Sequence, residues 1–182
     1  MKVPDKIRKL KGKQRVNELS SYARQSLFLS AAKTGVVLKE LEKGDLGNPL
    51  PSNGFFWSIS HKPEFVAAVV SNRSAGIDIE KMKDISKNVF NRIITDEETK
   101  GFINETPKRI FFRCFTAKEA VIKCKGVGLK GILQAKVVKV MDGNNLLLKY
   151  LDSEYIVENY FFNDYVASVI KDRCDVKWEI IY

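Results

Sequence analysis

Three short stretches of this chain combine residue types that handle phosphate and divalent cations. In Gly76-Ile77-Asp78-Ile79-Glu80, Asp78 and Glu80 are two positions apart on a segment that reads as a strand. Both carboxylates therefore leave the same face. Two carboxylates ~4 Å apart repel by ~4 kcal/mol at an effective dielectric of about 20, so something positive belongs between them. A hard, oxygen-seeking ion such as Mg²⁺ fits; water and a nearby lysine on an exposed strand face is the plainer alternative. In Phe115-Thr116-Ala117-Lys118-Glu119-Ala120-Val121-Ile122-Lys123, Glu119 and Lys123 stand at i and i+4 of a helix and share a face. An exposed intrahelical ion pair would be worth only a few tenths of a kcal/mol. Yet Phe111, Phe112, Phe115, Ala120 and Ile122 make the helix largely apolar. Beside Asp78 and Glu80, Glu119 would complete a cation site, and a lysine there would meet the phosphates that such a cation binds. The third stretch is Ser60-His61, at a strand end before Lys62-Pro63. No second histidine or paired cysteine suggests zinc. No glycine-flanked elbow marks Ser60 as a hydrolase nucleophile. The pair reads as a turn spacer or as a hydroxyl and an imidazole offered to a phosphate. A P-loop and a dinucleotide-binding glycine motif are both missing.

The elements that must position these residues follow from caps and periodicity. Residues 5–34 read as a helix, with Leu19, Tyr22, Ala23, Ser26, Leu27 and Ser30 at helical spacing and Gly35 as the stop. Residues 44–54 read as a loop. Residues 55–60 and 65–71 form a strand pair around the His61-Lys62-Pro63 turn, and 75–80 a third strand. Thr95 and Glu98 make a capping box for a short helix to about Asn104. Thr106 caps the next helix, with Pro107 in its first turn; it runs to Lys125 and stops at Gly126. Strands over 135–141 and 146–151 flank Asp142-Gly143-Asn144, strands over 155–162 and 165–171 flank Asn163-Asp164, and 176–181 adds an edge strand. Residues 64–72 line up with 164–172 at an offset of 100. This echo reads either as two unrelated apolar strands or as a duplicated α/β unit whose halves meet near 72–75.

Composition sets the frame. The chain has 182 residues, 45% hydrophobic and 29% charged, which excludes a disordered chain and suits one domain or a tight pair of subdomains. No apolar run is long enough to span a bilayer. Residues 1–6 lead into no apolar run, so no secretory signal is expected. Cys114, Cys124 and Cys174 read as free thiols in a reducing cytoplasm. Thirty-one Lys and Arg against 22 Asp and Glu give +9. Lys2, Lys6, Arg8, Lys9, Lys11, Lys13 and Arg15 crowd the first fifteen residues against Asp5 alone. Such a surface attracts phosphate ligands, nucleic acid or acidic proteins without choosing among them.

Taken in order, Ile59-Ser60-His61, then Gly76-Ile77-Asp78-Ile79-Glu80, then Phe115 to Lys123 closely resemble the 4′-phosphopantetheinyl transferase superfamily. Its signatures are a Gly-Ile-Asp-x-Glu strand followed by a W/F-S/T-x-K-E-A/S-x-x-K helix; here Asp78 and Glu119 are 41 residues apart. The resemblance covers residues 47–130 well and the rest in outline. The mid-chain position of Gly-Ile-Asp looks like the larger pseudo-dimeric type that activates peptide and polyketide synthetases. Asn48 stands where the family often has the lysine of Gly-Lys-Pro, and Lys62 where it often has a second serine.

The resemblance implies an α+β fold of two pseudo-symmetric α/β subdomains, residues 1–73 and 74–182. Each is a small antiparallel sheet packed by a long helix, with the active site between them. It implies transfer of 4′-phosphopantetheine from coenzyme A to a serine of an apo acyl or peptidyl carrier protein, releasing 3′,5′-ADP. Asp78, Glu80 and Glu119 would hold Mg²⁺ or Mn²⁺. Glu119 would be the general base, and Lys123 would stabilise the diphosphate. Ser60 and His61 would hold coenzyme A phosphates, with Lys118 either structural or reaching a phosphate. The partners would be coenzyme A and an acidic carrier protein, with neither nucleic acid nor membrane, and the enzyme a cytoplasmic monomer. A basic module that binds nucleic acid or acidic carrier proteins without catalysis is the rival reading. It explains the charge but not the ordered carboxylates.

Overall fold

The computed structural model describes residues 1–45, 47–172 and 174–182. Two helices, α1 (Asp5–Arg8) and α2 (Gly12–Lys33), precede the hairpin of β1 (Phe56–His61) and β2 (Val66–Ser71). Then come β3 (Ile77–Lys81), α3 (Lys87–Ile93), α4 (Asp96–Thr99) and α5 (Pro107–Lys125). The chain ends in β4 (Ala135–Val140), β5 (Asn145–Tyr150), β6 (Ser153–Phe162), β7 (Tyr165–Ile170) and an extended tail. β1 and β2 form one antiparallel sheet, and a second sheet has the order β3-β7-β6-β5-β4. All pairings are antiparallel, so the fold is the mixed α/β class expected. No helix of the structure is long and apolar enough to cross a membrane.

Each sheet carries one long helix. α2 packs on β1 and β2 by burying Leu19, Ala23, Leu27 and Ala31, the spacing that marked it as helical. α5 lies on the five-stranded sheet and is buried on nearly every side from Ile110 to Ile122. Its ends follow the sequence: the Thr106 hydroxyl accepts from the Arg109 amide at 3.3 Å, and Gly126 closes the helix at φ 67°. Gly35 closes α2 in the same way, at φ 69°. The residue after each glycine bonds back in parallel fashion, Val36 to Ala31 at 2.9 Å and Val127 to Ile122 at 3.3 Å. The echoed strands, β2 and β7, also take matching places. Each follows its partner through a hairpin and is flanked on its other edge, β2 by residues 1–3 and β7 by β3.

Several expectations need correction. The first helix is broken at residues 9–11, just before Gly12 at φ 53°, a conformation that interrupts a right-handed helix. The capping box of Thr95 and Glu98 is present, but α4 stops at Thr99. Its Glu98 turns inward instead of heading a longer surface helix. α3 was not expected at all; Asn88, Val89 and Asn91 are weak helix formers and none of its residues is buried. Residues 176–181 form no strand; they are held by Lys2, whose amide donates to the Ile181 carbonyl, and by Trp178, stacked on Tyr160 at 5.1 Å. Leu46, within the expected 44–54 loop, lies outside the described residues. All three cysteines are free thiols.

Gly76 fixes how β3 meets α5. A Cβ there would lie 2.0 Å from the Ala120 carbonyl oxygen and 3.0 Å from Cys124 Cβ. Only glycine lets the strand carrying Asp78 approach the helix carrying Glu119 and Lys123 so closely.

Candidate active site

β1 comes from the small sheet, β3 from the edge of the large one, and α5 from above. Between β1 and α5 lies a cavity of about 290 Å³. Trp57, Ile59 and Ile122 give it apolar walls, while Glu119, Lys123 and Lys43 give it charge. Asn48 and Gly126 close one side, and Asn48 side-chain atoms sit where a Cβ on Gly126 would go.

The structure brings Asp78 and Lys123 into contact. Lys123 Nζ donates to Asp78 Oδ1 at 2.7 Å and to the Ile77 carbonyl at 3.3 Å. The i,i+4 partner Glu119 is thus not the partner of Lys123. Ser60 Oγ also donates to Asp78 Oδ1, at 2.8 Å. The other oxygen, Asp78 Oδ2, is buried without a hydrogen-bond partner, as is Glu119 Oε1. An orphaned carboxylate oxygen forfeits solvation that only a cation or a donor restores. Two of them on neighbouring elements make a fit for a hard divalent cation.

Glu80 is differently placed. Lys62 Nζ reaches its Oε1 at 2.6 Å. Among the described residues, no three His, Cys, Asp or Glu side chains form a ready-made metal cage. The expected trio of Asp78, Glu80 and Glu119 is therefore not closed as it stands, because a lysine ammonium neutralises two of its members. For Glu80 the nearby lysine of the plainer alternative is Lys62, next to His61.

Charge coupling runs through the whole cluster. Burial, then repulsion from Asp78 and Glu80, pushes the Glu119 carboxyl up to about 7, with Lys123 opposing. Burial raises Glu80 as well, against the pull of Lys62. His61 is lowered by burial and by the nearby Lys123, Lys62 and Lys43 ammonium groups. Its imidazole is half-buried at the rim of a positive cluster, where an anion is favoured.

Ser60 and Lys118 are engaged by protein partners, Lys118 in the structural one of its two expected roles. Ser60 is 6% exposed and its one proton goes to Asp78, so it has no donor left for a phosphate. Lys118 is fully buried on the other side of α5, where Nζ meets Glu98 Oε1 at 2.7 Å and the Ile93 carbonyl at 2.7 Å. It anchors α4 to α5 and does not face the cavity.

A family model described as the 4′-phosphopantetheinyl transferase superfamily matches residues 74–170, the stretch from β3 through β7. The 4′-phosphopantetheinyl transferase psf-1 of Bacillus pumilus is 27% identical over 111 residues, covering 58% of this chain and 48% of that protein. The 4′-phosphopantetheinyl transferase gsp of Aneurinibacillus migulanus is 29% identical over 90 residues, 48% of this chain and 38% of that one. A 4′-phosphopantetheinyl transferase of Bacillus subtilis is 27% identical over 99 residues, 53% of this chain and 44% of its own length. The chain thus matches less than half the length of each of these relatives.

Proposed function

This chain belongs to the 4′-phosphopantetheinyl transferase superfamily, and on that premise we propose that it transfers 4′-phosphopantetheine from coenzyme A to a serine of an apo carrier protein. The carriers would be those of peptide or polyketide synthetases. Two subdomains, residues 1–73 and 74–182, would share the work in a cytoplasmic monomer. The observation that carries this reading is the pair of orphaned carboxylate oxygens, Asp78 Oδ2 and Glu119 Oε1, of which Glu119 lines a cavity that Lys43 and Lys123 also line.

In the reaction the carrier serine Oγ forms a bond to the β-phosphorus of the coenzyme A diphosphate. The bond from that phosphorus to the bridging oxygen breaks, and 3′,5′-ADP leaves. Glu119, whose Oε1 is buried without a hydrogen-bond partner, takes the serine proton. Asp78 and Glu119 would hold Mg²⁺ or Mn²⁺, joined by Glu80 once Lys62 gives way. Such an ion neutralises charge on the diphosphate as it reacts. Lys123 turns from Asp78 to the diphosphate and stabilises the leaving phosphate. His61, with Lys62 and Lys43 around it, binds a coenzyme A phosphate, and Trp57, Ile59 and Ile122 shelter an apolar part of the nucleotide. The net charge of +9, with Lys6, Lys9, Lys11 and Lys13 exposed near the N-terminus, favours an acidic carrier.

The test is intact-mass spectrometry of apo carrier proteins incubated with the protein, coenzyme A and Mg²⁺. The expected result is a gain of one phosphopantetheine that EDTA or Glu119→Ala abolishes. No gain on any carrier and no coenzyme A binding by calorimetry would instead support a non-catalytic basic module.

A further inference from the structure

Ser58 and Ser60 alternate along β1 and both turn toward β3. Both are more than nine-tenths buried, at 2% and 6% exposure. They do different things there. Ser58 Oγ accepts from the Ile77 amide at 3.2 Å, which ties backbone to side chain across the seam. Ser60 Oγ donates to a carboxylate, Asp78 Oδ1, at 2.8 Å. Lys123 donates to that same oxygen at 2.7 Å, so both bonds fall on Oδ1 and Oδ2 has none. Two donors on one oxygen oppose rotation of the carboxylate about its last torsion and keep Oδ2 as the free one.

The two donors are not equivalent. Lys123 is 29% exposed and lines the cavity, and in the function proposed above it moves to the diphosphate. Ser60 sits on a paired strand, where Ser60 faces Ala67 in register, and cannot follow. Once Lys123 leaves, Ser60 is the group still holding Oδ1. We propose that Ser60 is a positioning residue for the cation: its hydroxyl fixes Asp78 so that Oδ2 is presented to the metal, and it makes no phosphate contact. The small N-terminal sheet thereby sets the geometry of a carboxylate that belongs to the large one. This inference rests on the proposed cation site.

The experiment measures Mn²⁺ affinity by electron paramagnetic resonance and, separately, coenzyme A affinity by calorimetry in EDTA. Both are done on the wild type, Ser60→Ala and Ser58→Ala, each checked for a folded state by thermal melting. Loss of a partner hydrogen-bonded to a metal ligand lowers metal affinity about 10–100-fold. Ser60→Ala should therefore bind Mn²⁺ at least about tenfold more weakly, with coenzyme A affinity in EDTA unchanged. Ser58→Ala should lower the melting temperature but leave Mn²⁺ affinity as in the wild type. Unchanged Mn²⁺ affinity in Ser60→Ala would overturn the proposal, as would equal weakening in both variants, which is loosening of the seam. Weaker coenzyme A binding in EDTA with normal Mn²⁺ affinity would make Ser60 a phosphate ligand after all. A wild type that binds no Mn²⁺ would remove the cation site itself, a failure of the underlying reading that is distinct from the others.

Discussion

Replacing Lys118 with methionine separates a structural role from a substrate-binding one. The Lys118 side chain is 0% and that of Glu98 2% exposed, and Nζ lies 2.7 Å from Oε1 and 3.0 Å from Oε2. Methionine keeps most of the volume but leaves Glu98 charged and buried. Removing one partner of a buried pair costs about 3–5 kcal/mol. Glu98 would keep three donors: the Val137 amide at 2.8 Å, the Thr95 amide at 3.0 Å and the Thr95 hydroxyl at 3.2 Å. They place the loss near the lower end, about 3 kcal/mol. At about 2–4 °C per kcal/mol for a chain of this size, melting should fall by about 6–12 °C. Adding Glu98→Gln should recover part of that, because the stranded charge goes with it. The pair also has a pH signature. Burial alone would raise the Glu98 carboxyl, but Lys118 and the Val137 and Thr95 amides outweigh it and hold it below the ordinary 4.5. The stabilisation is therefore complete above 4.5 and is lost as pH falls through the lower folded value. Urea unfolding at pH 7 and pH 3.5 should show the two forms converging at the lower pH. Coenzyme A affinity of the folded variant should be unchanged. A Lys118→Met protein as stable as the wild type, or one that is stable but binds coenzyme A tenfold more weakly, would refute this placement.

Further outcomes follow from the site. Gly76→Ala should destabilise by at least about 1–3 kcal/mol in urea unfolding, since the new Cβ meets the Ala120 carbonyl oxygen and β3 must part from α5; wild-type stability would contradict the close approach. Glu119→Gln should slow carrier modification by about 10²–10⁴-fold with coenzyme A affinity retained, as read by mass spectrometry and calorimetry; near-normal turnover would end its assignment as the base. Raising salt from 50 to 500 mM should lower kcat/KM for an acidic carrier much more than kcat, because exposed charges are screened beyond a Debye length of about 10 Å at 0.1 M. An effect on kcat alone would place the charge elsewhere than in the encounter.

What the sequence determined by itself is what depends on neighbours a few residues away. The Thr106 cap, Pro107 and Gly126 delimit α5; Thr95 and Glu98 make their capping box; alternation and turn residues mark β1, β2 and the hairpins β4-β5 and β6-β7. These are short-range hydrogen bonds and steric limits, legible without the rest of the chain. The segments Ser60-His61, Asp78 to Glu80 and Glu119 to Lys123, singled out in the sequence, lie side by side in the structure. The tertiary structure alone decided which side chains meet. Lys118 and Glu119 are adjacent but ~100° apart around the helix, so one anchors α4 while the other faces the cavity. Lys123 could as well have paired with Glu119; the closeness of β3 at Gly76 gave it to Asp78. Ser60, separated from Asp78 by 18 residues, and Lys62, beside His61, went to Asp78 and Glu80 because β1 docks against β3. Contacts of that kind join chain segments whose local sequences carry no record of one another, and only packing in three dimensions sets them.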